Sequence, residues 1–115
     1  MVGTQTSPNV RWARAHGLFE AGEFDAAALI LAEPASEIGD AAAGADALAV
    51  RLLLGRAYYH SAQLHRAEAE ASAVLASDPA NAYAYLLLGR TLERQSRHAE
   101  AGGPLRMAAA MGVDR

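Results

Sequence analysis

The sequence predicts an all-α protein assembled from stacked helical hairpins, and three observations carry that expectation. The stretch Leu52-Leu53-Leu54-Gly55-Arg56 returns as Leu86-Leu87-Leu88-Gly89-Arg90, an offset of 34 residues. Recurrence at a fixed period marks units that bury their apolar faces only by stacking on one another. The 115-residue chain is 52% apolar, with alanine the largest component and Val, Ile and aromatic residues few. Alanine has the highest helix propensity and lets helices approach closely, and no alternating, strand-like run is present. Gly22, Pro34 and Asp78-Pro79-Ala80-Asn81 punctuate the periodic segments with turn chemistry.

Residues 1–6 read as a disordered leader and residues 7–115 as one domain. Ser7 is placed to cap a first helix and Pro8 to open it, since Pro at the first helical position loses no needed N–H. That helix covers about 9–21, with Trp12, Ala15, Leu18 and Phe19 on one face. Gly22 breaks it, and a second helix follows over 24–33, ended by Pro34. Residues 34–45 form the one true loop, from which 41–43 can extend the next helix backward. The third helix covers about 46–62 and the fourth 64–77. Pro79 blocks continuation and Asn81 caps the fifth, about 82–96. The sixth covers about 98–111, with Gly102-Gly103-Pro104 expected to kink it or delay its start.

The charge pattern narrows the functional classes. Net charge is −3, and all ten basic residues are Arg. That balance argues against general nucleic-acid binding, which needs a strongly basic face. The chain has no cysteine, which removes disulfides, thiolate metal sites and Cys catalysis. The polar N-terminus lacks the core of a secretory signal. No run of about 18 apolar residues is present to span a membrane. A cytoplasmic protein without membrane contact is expected, and the Lys-free, Ala- and Arg-rich composition suggests a bacterial coding sequence.

Three hairpins at this period resemble the tetratricopeptide repeat family. In the unit 48–81, Leu54-Gly55, Tyr58, Ala67 and Pro79 match the family pattern, while Arg51 and Ala71 stand where bulky residues are usual. In the unit 82–115, Tyr85, Leu88-Gly89, Leu92, Ala101 and Leu105 match, and Val113 stands where Pro is usual. The first unit, about 8–41, is more degenerate: Ala15, Gly22, Phe24 and Ala27 fit, but Trp12 falls one residue late and no Leu-Gly is present. The interval between Ala27 and Ala67 places about six extra residues after this unit. The resemblance implies a right-handed superhelix of six helices, an α-solenoid, with Gly55 and Gly89 at close helix crossings opposite Ala67 and Ala101.

The resemblance also implies a concave groove lined by the first helix of each hairpin, which takes a peptide or protein segment. The positions carried over are Asn9, Trp12 and His16; Ala49, Leu52, Arg56, Tyr59 and His60; and Tyr83, Leu86, Arg90, Glu93 and Arg94. Arg56 and Arg90 are equivalent, so they form a ladder about 10 Å apart, the spacing of packed helices. Arg favours bidentate carboxylate contacts, so acidic partner groups are one expectation. The alternative is a pair of solvated Arg, with Glu93 as a partner. The family's clamp for chaperone tails is absent, since Trp12, His16, Leu53, Tyr83 and Leu87 occupy its positions. Trp12 with Phe19 is either a binding hot spot or a cap on the first hairpin's core.

Other constellations are weaker. His60 and His65 are five apart, not the four that sets two ligands on one helical face. His16 and His60 are expected as solvated surface histidines, the alternative being a pH-sensitive pair in one groove. No nucleophile elbow, phosphate-cradling loop or carboxylate pair is present, so neither an enzyme nor a cofactor is expected. Met107 and Met111 share a helical face. Repeat arrays need polar terminal caps, so this stripe is either a terminal interface for a partner or a homodimer, or core against the preceding helix. Two readings follow: an adaptor working through its groove, or a structural or self-association module working through its terminal faces.

Overall fold

The computed structural model describes residues 8–38 and 45–113, with side chains described for 11–32 and 47–113. Six helices follow one another: α1 (Pro8–Glu20), α2 (Phe24–Ile38), α3 (Ala45–His60), α4 (Leu64–Ser77), α5 (Ala82–Arg94) and α6 (His98–Ala110). No strand is present among the described residues. Each helix packs on its neighbours in the chain, and α3 also lies against α5. The molecule is elongated, 55 × 27 × 22 Å. Among the described residues no helix is long and apolar enough to cross a membrane.

The turn inside each hairpin is built the same way. Gly22, Ala62 and Ser96 adopt left-handed φ angles of 81°, 62° and 61°. The next residue's N–H then reaches back five positions: Glu23 to the Leu18 carbonyl at 2.8 Å, Gln63 to Tyr58 at 2.8 Å and Arg97 to Leu92 at 2.9 Å. This closure satisfies carbonyls that a helix end otherwise leaves open. It also explains why α3 and α5 stop at His60 and Arg94, two residues before the sequence-based boundaries. Asn81 caps α5 as expected, its side chain accepting from the Ala84 N–H at 3.0 Å.

Two prolines fail to act as breakers. The α2 helix passes Pro34 and continues to Ile38, so the expected end at 33 is corrected. Pro34 lacks an N–H for the Ile30 carbonyl and its ring crowds that carbonyl, but its fixed φ is helical, so the helix continues at a cost. Pro104 likewise sits inside an unbroken α6. There the packing of α6 on α5 outweighs the low propensity of Gly102-Gly103-Pro104. The proposed Ser7 cap, the leader and residues 39–44 of the loop lie outside the described residues.

The two repeat glycines mark close approaches, with different neighbours. A β-carbon on Gly55 would stand 2.8 Å from Leu87 Cδ2 and 3.2 Å from Glu70 Cβ, with the Ala67 carbonyl at 3.8 Å. On Gly89 it would meet Leu105 Cγ and Cδ2, both at 2.5 Å. Leu105, rather than the expected Ala101, therefore covers Gly89. Ala67 and Ala101 are nonetheless both buried, as is Leu54. Leu88, expected beside Leu54 in the core, is only half-buried.

The departures from the repeat pattern have local explanations. Arg51, standing where a bulky residue was expected, pairs with Glu70 across α3 and α4 at 3.1 Å. Arg97, at the start of the last hairpin's second helix, bridges Glu68 and Glu100, each at 2.7 Å. Burial raises the Glu68 pKa, but hydrogen bonds from Arg97 and Gln95 outweigh it and hold the carboxyl below its ordinary range. The first hairpin joins the second through an apolar cluster of Ala15, Phe19, Ala27, Ala28, Leu31, Leu53, Leu54 and Ala57.

Candidate functional site

The side-by-side placement of α3 and α5 leaves a concavity of about 530 Å³, lined by Leu52, Arg56, Tyr59, His60, Tyr83, Leu86, Leu87 and Arg90. The helical period explains the set. Leu52, Arg56, Tyr59 and His60 recur at intervals of three and four on α3, and Tyr83, Leu86, Leu87 and Arg90 do so on α5. Opposite faces of the same helices carry the buried Leu54, Ala57 and Leu92. The floor is apolar, while Tyr83 is 63% exposed at the edge.

Seven residues named from the sequence are thus brought into one concavity. The others fall around it or away from it. Glu93 sits on the rim and accepts from Arg90 Nη1 at 3.1 Å. Arg94 donates to the Tyr59 carbonyl at 2.7 Å and lies 4.7 Å from the centre of the Tyr59 ring. Ala49 is exposed, and it does not line the concavity. Trp12 is half-buried against the first hairpin's cluster, with exposed His16 edge-on to it at 5.7 Å. Neither lines the concavity, because α1 meets α3 mainly through its C-terminal Phe19. Asn9 lies in α1, its side chain outside the described residues. Met107 and Met111 are exposed on α6, at 42% and 38%.

The end of α3 holds an arrangement that the sequence reading did not assemble. His60 stacks on Phe24 with ring centres 4.6 Å apart. It meets Phe19 edge-on at 5.7 Å and Tyr59 at 5.3 Å. Arg56 lies over the other side of this cluster, 4.7 Å from the Phe19 ring centre. His16 and His60 therefore belong to separate aromatic groups. Although His60 is an exposed residue, packing against these rings lowers its pKa, and the charges of Arg56 and Arg94 lower it further. The imidazole is accordingly neutral near pH 7.

The three groove arginines are not equivalent. Arg90 has a carboxylate in Glu93, with both side chains about two-fifths exposed. Arg56 and Arg94 contact rings and a backbone carbonyl, and no described carboxylate forms an ion pair with either. The expected Arg56–Arg90 ladder thus carries one compensated and one uncompensated charge. Leu87 was missed as a groove residue, and Phe19, expected as a hot spot or as a cap on the first hairpin's core, is buried in that core; it and Phe24 were missed as neighbours of His60. The signal for the two Phe was their position on either side of Gly22, which fixes them at the hairpin's tip. Leu87 is next to Leu86 around the helix, and the concavity is wide enough to include both.

No protein-family model matches the chain, and no curated protein matches its sequence.

Proposed function

We propose that the chain is a non-enzymatic adaptor of the tetratricopeptide-repeat kind. Its hairpins belong to a right-handed superhelix, and the α3–α5 groove takes an extended or helical segment of another protein. The observation that supports this reading is the convergence of Leu52, Arg56, Tyr59, His60, Tyr83, Leu86 and Arg90 on one concavity. An apolar floor with aromatic and Arg edges is the composition of binding hot spots. The expected setting is the cytoplasm of a bacterium, and the expected partner carries apolar and acidic side chains. No catalytic or cofactor role is assigned.

The test is affinity capture from a native lysate with wild type and a Tyr83→Ala, Arg90→Ala double variant. Both side chains are at the surface, so the fold survives their removal. Loss of the same captured protein in the double variant supports the groove. Unchanged capture rejects it.

Exposure of Met107 and Met111 favours a second reading, self-association through α6, because Met adapts to varied apolar surfaces. Sedimentation over a wide concentration range tests it. Concentration-dependent dimerisation that Met107→Ser with Met111→Ser abolishes would establish that reading, and a monomer throughout would remove it.

A further inference from the structure

We infer that Arg56, His60 and Arg94 form a proton-coupled carboxylate subsite at the α3 end of the groove, where an acidic side chain of the bound segment docks as His60 takes up a proton. The inference rests on the groove reading and gives the segment's chemistry and its regulation.

Charge complementarity carries it. Arg56 and Arg94 are two cations with no carboxylate partner among the described residues, and both interact with aromatic rings around His60. From α1 and α2 the groups facing His60 are Phe19 and Phe24, which carry no charge. From α3 they are Arg56 and Tyr59, and from α5 Arg94. Arg90 lines the same concavity, but Glu93 compensates it. Protonating His60 in the free protein adds a third positive charge to an uncompensated pair. A carboxylate entering between the guanidinium groups removes that penalty, so it and the proton favour one another. Arg94 is already held by the Tyr59 carbonyl and ring, so part of the subsite is pre-organised.

The occupant is a carboxylate rather than a phosphoryl group in this reading, and the two differ in sign. A carboxylate with the ordinary pKa of about 4 keeps its charge while His60 gains one as pH falls below the ordinary imidazole range, so binding tightens. A phosphoryl group loses its second charge near about pH 6, which opposes that gain.

The experiment uses the full chain and three probes: N-acetylglutamate, a capped hexapeptide of alternating Leu and Glu, and the matching Leu–Gln peptide. The His60 ring resonances are followed by NMR as pH is varied, and proton uptake is measured by calorimetry in buffers of different ionisation enthalpy. N-acetylglutamate is expected to raise the His60 pKa. The Leu–Glu peptide is expected to bind up to about tenfold more tightly for each pH unit of fall between the free and bound His60 pKa values. Proton uptake disappears in His60→Phe, and Arg56→Gln with Arg94→Gln removes the preference for Glu over Gln. A His60 pKa unmoved by either carboxylate probe overturns the subsite, as does a Leu–Glu affinity independent of pH. If both peptides fail while N-acetylglutamate still raises the pKa, the groove reading falls and the subsite stands. If the Leu–Gln peptide binds as tightly as the Leu–Glu peptide, the groove reading stands and the subsite falls.

Discussion

Arg94 contacts Tyr59 twice, donating to its carbonyl at 2.7 Å and lying 4.7 Å from its ring centre. Through this one residue, the last turn of α5 closes the last turn of α3. The same carbonyl accepts from the Ala62 N–H at 3.1 Å, so Arg94 takes up its second lone pair. Arg94→Ala should therefore destabilise the fold by about 1 kcal/mol, the sum of a modest hydrogen bond and an exposed cation–π contact. Arg94→Lys should recover less than half of that, because the planar stack is lost. Urea midpoints of the three proteins check both statements.

The repeat glycines should differ in sensitivity. A β-carbon on Gly89 meets two atoms of Leu105 at 2.5 Å and the Leu105 backbone nitrogen at 3.3 Å. Relief needs a new Leu105 rotamer, and the backbone nitrogen on α6 must also give by a few tenths of an ångström. Gly89→Ala should cost about 2 kcal/mol, as overpacked interfaces do. At Gly55 the closest atom is the end of Leu87, which borders the open groove. Gly55→Ala should stay within about 1 kcal/mol of wild type, since the gain in helix propensity offsets part of the clash. Equal losses at the two positions would contradict this difference.

The same pair shows how far the sequence could be read. The 34-residue offset paired Gly55 with Gly89, and the family resemblance placed both at close helix crossings, a use that fits a lone Gly inside a helix. It could not say that Leu105 covers one and Leu87 approaches the other, since those neighbours depend on side-chain direction rather than register. Helix existence was legible from apolar period. The ends of α3 and α5 were not, because a left-handed Ala62 or Ser96 leaves no compositional mark as Gly22 does. Pro34 misled because its φ is as helical as its missing donor is disruptive. In the groove, the family resemblance carried over Leu52, Arg56, Tyr83, Leu86 and Arg90, and these line one concavity. Trp12 and His16 do not line this concavity, because α1 packs chiefly on α2 whereas α5 lies against α3.

Those left-handed residues supply a stabilising test. An L side chain at positive φ costs about 1–2 kcal/mol, and Gly removes that cost while adding about 0.5–1 kcal/mol of unfolded-state entropy. Ala62→Gly and Ser96→Gly, at φ 62° and 61°, should each stabilise the protein by about 0.5–1 kcal/mol. Thermal midpoints should rise in both, whereas Gly22→Ala, at φ 81°, should lower it.

Thr91 offers a second route to higher stability. It is fully buried, and its Oγ1 has no hydrogen-bond partner. Its counterpart one repeat earlier is Ala57, also fully buried. An unsatisfied buried hydroxyl costs about 1–3 kcal/mol, while a methyl of the same size packs without that cost. Thr91→Val should raise stability by about 1 kcal/mol, with part of the gain given back to the stiffer β-branched χ1 in a helix. A fall in the urea midpoint would mean that the hydroxyl is satisfied in solution.

His60 gives the fold a pH dependence of fixed sign. Burial against Phe24 and Phe19, then the charges of Arg56 and Arg94, lower its pKa in the folded state. The unfolded chain keeps a value of about 6.5. Between the two values the unfolded state binds more protons, so stability falls as pH drops through about 6.5 and levels off below the folded pKa. Above about pH 7.5 the group is neutral in both states and contributes no slope. Glu68, also lowered, adds its loss only in the carboxylate range further down. Urea midpoints measured from about pH 7.5 to about pH 5 should decline less steeply in His60→Gln than in wild type. Parallel curves would show that the imidazole is as easily protonated folded as unfolded, and the contacts with Arg56 and Arg94 would then carry no electrostatic cost.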